Sequence, residues 1–217
     1  MKEFSLQNTQ SPACVLLLGA HCDDLEIGCG GTIIQMAERW PDARYVWVTL
    51  SSDAERGAET RQAAARLLST VRDATIFVEQ FRASFFPYDG ELLKDYFETL
   101  KTHEPDIILT HYRGDLHQDH RIVNELTWNT FRDHLVLEYE IPKFDGDFGT
   151  PNTYVPLTSH TLDRKIQTLL ECFPSQLTRK WFTRNTFEAI ARLRGIECNA
   201  TDGYAEAFYG RKNRLLI

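Results

Sequence analysis

Two short segments carry residue types that can hold a metal ion and move protons: Ala20-His21-Cys22-Asp23-Asp24 and His117-Gln118-Asp119-His120. Imidazole nitrogen and carboxylate oxygen bind zinc at roughly 2.0–2.2 Å, and a catalytic zinc takes three protein ligands while leaving a fourth position to water. Two histidines and one carboxylate suffice. His21 and Asp24, three residues apart where a loop enters a helix, can converge on one point, which leaves Asp23 free to handle a proton. His117 and His120 share one face of a helical turn, so one can ligate metal while the other stands over a substrate. The chemistry implied is hydrolysis, because bound zinc lowers the pKa of water towards ~7 and polarises a carbonyl. Imidazole and carboxylate suit Fe2+ as well as Zn2+, so the metal itself stays open.

Such convergence needs elements that bring the two segments together. Residues 13–19 form a compact apolar run ending in glycine and read as a buried strand; helical spacing follows over 28–40 through Ile33, Ile34, Met36 and Ala37. A strand over 44–50, an alanine-rich helix over 54–68, a strand over 74–78 and a helix over 91–102 come next, and Pro105-Asp106 heads a fourth strand over 107–110. This alternation predicts right-handed βαβ units: an α/β fold with a doubly wound, Rossmann-like, mainly parallel sheet and helices on both faces. Ligands of such sheets bind beyond the carboxyl ends of the strands, so the segments after Gly19, Leu50 and Thr110 are where chemistry is expected. Both His/Asp clusters fall there.

The second half is less regular, with a helix over 122–131, a strand over 135–139, a Gly/Asp/Pro loop over 142–152 and helices near 162–173 and 187–194. The expected organisation is a tail over 1–12 and one domain over 13–217. Gly28-Cys29-Gly30-Gly31 lacks the order of a dinucleotide-binding loop and is better explained by a tight turn and helix packing. Aromatic and polar residues over 85–88 and 138–147 suit the lining of a sugar pocket.

Composition narrows the class. The 217 residues are 42% hydrophobic and 25% charged, an ordinary globular balance, and the net charge of −7 argues against a nucleic-acid partner. The first dozen residues have no basic region followed by an apolar stretch, and no run nears the ~18 apolar residues of a membrane helix. The five cysteines form no CxxC pair, which fits a reducing cytoplasm. Nothing here opposes a homo-oligomer.

The paired motifs resemble the AHPDD and HPDH motifs of the PIG-L/LmbE-like deacetylases, whose members remove N-acetyl groups from glucosamine-containing molecules. Arg56 followed by Glu59, Ala63, Ala64 and Leu67 is similar to the family's R-x-x-E-A helix, and Tyr204-Ala205-Glu206-Ala207-Phe208 to its C-terminal segment. The likeness runs from Val15 to Phe208. It implies that His21, Asp24 and His120 hold zinc, that Asp23 is the general base, and that His117 steadies the oxyanion or protonates the leaving amine. It further implies that Asp119 orients a neighbouring imidazole and that Arg56 holds the substrate or the pocket wall. Cys22 and Gln118 depart from the family pattern, since both stand where proline is usual. The substrate implied is a small amino-sugar molecule or glycoconjugate precursor. Competing expectations are an esterase or phosphoesterase with the same metal, and a sugar-binding module without catalysis.

Overall fold

The computed structural model describes residues 11–212; the expected tail lies outside the described residues as far as residue 10. In chain order the elements are β1 (Cys14–His21), α1 (Asp24–Arg39), β2 (Arg44–Ser51), α2 (Ala54–Leu67), β3 (Asp73–Val78), α3 (Gly90–Leu100), β4 (Ile107–His111), α4 (Gln118–Thr130), β5 (Leu135–Tyr139), β6 (Thr153–Leu157), α5 (Ser159–Cys172), α6 (Arg184–Cys198) and β7 (Tyr204–Gly210). They build a seven-stranded sheet of order β3-β2-β1-β4-β5-β7-β6. The first five strands pair in parallel, whereas β7 runs antiparallel to both β5 and β6.

Successive side chains of a strand point to opposite faces, so each central strand feeds two cores. Val15, Leu17, Tyr45 and Trp47 pack with α1, α2 and α5, while Leu16, Leu18, Val46 and Val48 pack with α3 and α4. Burial on both faces is why these strands read as unbroken apolar runs rather than alternating ones. Among the described residues no helix is long and apolar enough to cross a membrane.

The sheet agrees with the doubly wound, single-domain expectation, with differences at the sheet edge and at helix starts; α4, for one, begins at Gln118 rather than at residue 122. β6 and β7 were not anticipated: β6 is a partly exposed edge strand containing Pro156, which an edge tolerates, and β7 carries the charged Glu206 at a buried position. α1 begins at Asp24 rather than at residue 28. It also breaks at Cys29, whose φ of −146° and ψ of 20° are not helical.

Glu206 and Lys165 satisfy the backbone groups that the break leaves free. A kink strips backbone groups of their partners, and buried groups of that kind must be satisfied elsewhere. The Glu206 carboxylate accepts from Gly31 N at 2.8 Å and from Thr32 N at 2.6 Å, at the start of the second half-helix. Lys165 Nζ donates to Ile27 O at 2.6 Å, at the end of the first half, and to Glu206 Oε1 at 2.7 Å. Both ionic side chains are almost wholly buried. Close packing accounts for the glycines: a Cβ on Gly28 would stand 2.2 Å from the Tyr139 ring, and one on Gly31 would stand 2.7 Å from Leu157. Glu206→Ala would leave the Lys165 ammonium uncompensated in the core, a loss of about 3–5 kcal/mol. Urea unfolding measures it, and a variant as stable as the parent would show the pair to be idle.

Candidate metal centre

β1 and β4 are neighbours from which the strand order runs outward in opposite directions, and a doubly wound sheet opens its ligand crevice at such a point. β1 delivers His21 at its last position, and a two-residue turn then leads into α1. Within that turn Asp23 has a φ of 91°, a left-handed conformation that costs a non-glycine residue about 1–3 kcal/mol. Asp23 occupies the N-cap of α1 without capping it. Its carboxylate turns instead to Arg56 Nη2 at 3.0 Å. β4 ends on His111, and the following loop reaches His117, whose Nδ1 accepts from Asp119 N at 3.2 Å and so caps α4. That cap places Asp119 and His120 in the first helical turn.

The two distant segments meet. His21 Nδ1 lies 3.2 Å from His120 Nε2 and 3.4 Å from Asp24 Oδ2, and His120 Nε2 lies 3.6 Å from Asp24 Oδ2. Donors around one tetrahedral zinc, each at ~2.0–2.1 Å from the ion, stand about 3.3–3.4 Å from one another. The three residues therefore fit a zinc ion, or a similar divalent cation, on donor spacing alone. Their outward nitrogens are also held as ligating imidazoles require. His21 Nε2 pairs with Asp119 Oδ2 at 2.9 Å and His120 Nδ1 with Asp115 Oδ2 at 2.9 Å. Two overlapping triples, His21/His117/His120 and Asp24/His111/His120, also keep their donor atoms within 4.8 Å.

Electrostatics separate two adjacent carboxylates. Burial opposes ionisation of Asp24, but the imidazoles of His120, His111 and His21 outweigh it and hold the carboxyl well below the usual range. Burial dominates at Asp23 and pushes it up to about 7, although Arg56 acts against the rise. Burial and the neighbouring His111 lower His120 to about 3. At His21 burial works against charge, yet Asp24 and Asp119 raise its pKa to about 10.

All seven anticipated residues gather at this one end of the sheet. His21, Asp24 and His120 form the donor triangle, and Asp119 holds His21 while accepting backbone N–H groups from Ser84 at 2.5 Å and Phe86 at 3.3 Å. The half-buried His117 ring lies 4.9 Å from His21 and 4.5 Å from His120, centroid to centroid. The Arg56 guanidinium is engaged by Asp23 Oδ1 and the Cys22 carbonyl. The unusual residues have their own tasks. Cys22 Sγ donates to Ser51 O at 3.6 Å in the core. Gln118, at the first helical position that proline also favours, donates from Nε2 to Ser84 O at 2.6 Å and so ties α4 to the loop after β3.

Two residues were missed. The wholly buried His111 stacks on His120 at 3.9 Å, lies 3.2 Å from Asp24 Oδ2 and accepts from Ala20 N at 3.0 Å. Asp115 anchors His120 as described. His111 is one residue beyond the expected strand end, so its type and place at the crevice were a usable signal; Asp115 is revealed only by contact. Conversely, Glu138 and Glu140, in the stretch thought suited to a sugar, are structural. Glu138 accepts from Arg113 N at 2.9 Å and Trp128 Nε1 at 2.6 Å, and Glu140 pairs with Arg194. Asp119→Asn is expected to weaken the binding of a divalent cation at this candidate centre about 10–100-fold through misorientation of His21, on the scale of such supporting partners. Chelator competition reads this directly, and parent-like affinity would remove Asp119 from the centre.

The comparisons agree with this architecture. A conserved protein of Thermus thermophilus matches with a TM-score of 0.75 and 19% identity over 94% of this chain and 96% of its own. The 4-carboxy-2-hydroxymuconate hydratase of Pseudomonas putida KT2440 matches with 0.75 and 17% over 94% and 98%. The N,N'-diacetylchitobiose deacetylase of Pyrococcus horikoshii matches with 0.67 and 22% over 94% and 86%. At these identities the likeness shows the fold. The family model described as PIG-L, GlcNAc-PI de-N-acetylase, matches residues 16–131, a span running from β1 through the whole of α4 and thus covering both halves of the donor triangle. The chain belongs to the PIG-L family.

Proposed function

We propose that this chain is a metal-dependent N-deacetylase that hydrolyses the acetamide of an amino-sugar-containing small molecule or glycoconjugate precursor. The observation that carries this reading is the triangle of His21, Asp24 and His120, with Asp23 and His117 on its flanks. Zinc or iron(II) held there supplies a Lewis acid that polarises the amide carbonyl and makes water acidic enough to attack near neutral pH.

The chain's own groups then have separate tasks. Asp23 takes the proton that water gives up as its oxygen bonds to the carbonyl carbon, and Arg56 fixes the rotamer in which it does so. His117 accepts the Asp119 N–H on Nδ1, so its Nε2 carries the hydrogen and acts as a donor. A donor aimed at the developing oxyanion is worth roughly 3–4 kcal/mol. When the carbon–nitrogen bond breaks, the nitrogen needs a proton, because an amide anion leaves very poorly; Asp23 delivers the proton it took from water, while His117 keeps its Nε2 hydrogen on the oxyanion. Acetate and a free amine are the products. Family membership supports the amide and the amino sugar, and the Pyrococcus relative is named for a substrate of that kind.

The zinc-loaded protein, incubated with a panel of N-acetylhexosamine conjugates, should release free amine. Cleavage of O-acetyl or phosphate esters with no amine from any N-acetyl donor would overturn the reading. Asp23→Asn should keep its metal while deacetylation falls about a hundredfold or more, the scale of a lost general base. Turnover unchanged at full metal content would remove Asp23 from the mechanism. Stripping the metal with a chelator should abolish activity, and adding back zinc or iron(II) should restore it.

A further inference from the structure

The loop over residues 141–149, between β5 and β6, is tied to the metal centre through side chains that the mechanism does not use. Its two ends are pinned by Arg194 on α6, which forks onto Glu140 with Nε–Oε1 at 2.6 Å and Nη2–Oε2 at 2.8 Å and also donates to Gly149 O at 3.4 Å. The middle of the loop is fastened at a second place. Asp147 Oδ2 accepts from Leu116 N at 2.7 Å, next to His117 in the chain. Lys143 Nζ bridges Asp147 Oδ2 at 2.5 Å and Asp115 Oδ2 at 2.9 Å, with only 12% of its side chain exposed.

Asp115 is the junction. Its Oδ2 is the same oxygen that meets His120 Nδ1 at 2.9 Å, and its Oδ1 accepts from His117 N at 2.8 Å. A single buried carboxylate thus touches the ring of one candidate ligand and the backbone of the histidine three residues before it. Lys143 grips it from the side of the loop. Carboxylates that orient ligating imidazoles are worth about 10–100-fold in metal affinity, and what fixes such a carboxylate acts through it.

We propose that Lys143 is a positioning residue which couples the loop over 141–149 to the metal centre, holding Asp115 in the rotamer that orients His120. The inference rests on the reading of His21, Asp24 and His120 as metal ligands. A lysine stem is flexible, and its ammonium is held here by carboxylates on both sides. Without it, Asp115 Oδ2 keeps one donor where it had two, and the loop keeps only the Asp147–Leu116 bond in its middle. The His120 ring loses part of its restraint.

A double-mutant cycle on zinc affinity, read by chelator competition, tests this with the full chain. Lys143→Met should weaken zinc binding about tenfold, and Asp115→Asn about 10–100-fold. In the Asp115→Asn background Lys143→Met should change affinity by less than about twofold, because a residue that acts through another adds nothing once that partner is gone. Lys143→Arg, which keeps charge and approximate reach, should recover the parent affinity, and unfolding of the metal-free proteins shows whether each variant is folded. Zinc affinity unchanged in folded Lys143→Met, or its full effect repeated without Asp115, would overturn the coupling while leaving the deacetylase reading intact. A parent protein that binds zinc and shows the predicted cycle but cleaves no N-acetyl donor would overturn the deacetylase reading and leave the coupling standing.

Discussion

His21 Nδ1, Asp24 Oδ2 and His120 Nε2 converge to within 3.2–3.6 Å, a spacing that a proton or a cation shared among them makes favourable. Much of the surrounding structure keeps them there. Carboxylates hold the far nitrogens of both imidazoles, the His21 N–H meets Asp24 Oδ2 at 2.6 Å, and His111 packs flat against His120. Such restraint is the preorganisation a metal centre needs, since ligands fixed in advance lose little freedom on binding.

The fold supplies the restraint from below. β1 delivers His21 and β4 delivers His111 to the Asp24 and His120 side chains, and Tyr139 at the end of β5 donates to Leu18 O at 2.7 Å with its oxygen 3.2 Å from His111 Nε2. Tyr139 fits only because Gly28 leaves room for its ring. The next turn of α1 is then broken at Cys29 and resealed by Glu206 and Lys165, so the turn bearing Asp24 is held by a capped half-helix of its own. Side chains from β7 and α5 thus complete the hydrogen bonding of the helix that carries Asp24.

Asp23 and Asp24 show how neighbouring residues of one chemical type are given different properties. Asp24 faces three imidazoles that hold its carboxyl well below the usual range, which suits the ligand role proposed for it. Asp23, turned away by its left-handed backbone, meets burial and one arginine, and titrates near neutrality. Environments that push the pKa values of paired carboxylates apart are a recurrent means of assigning a base beside an electrostatic anchor.

The local pattern by itself determined the parallel core of the fold and the place of its chemistry. Short apolar runs alternating with helical segments fit strands buried on both faces, and the rule that ligands gather at the carboxyl ends of such strands pointed to the segments that hold His21 and His120. Residue type marked Asp23, Asp24, His117 and Asp119 as chemically able. What each touches was decided by tertiary structure alone, because a hydrogen bond depends on partners distant in the chain. Arg56 belongs to Asp23, Asp115 belongs to His120 and Lys143, and Glu206 accepts the N–H of Gly31, 175 residues before it, beside the helix break. β6 and β7 escaped notice for the same reason: a short edge strand with a proline, and a strand with a buried glutamate, have no periodicity of their own and exist because the sheet edge and the kinked helix receive them.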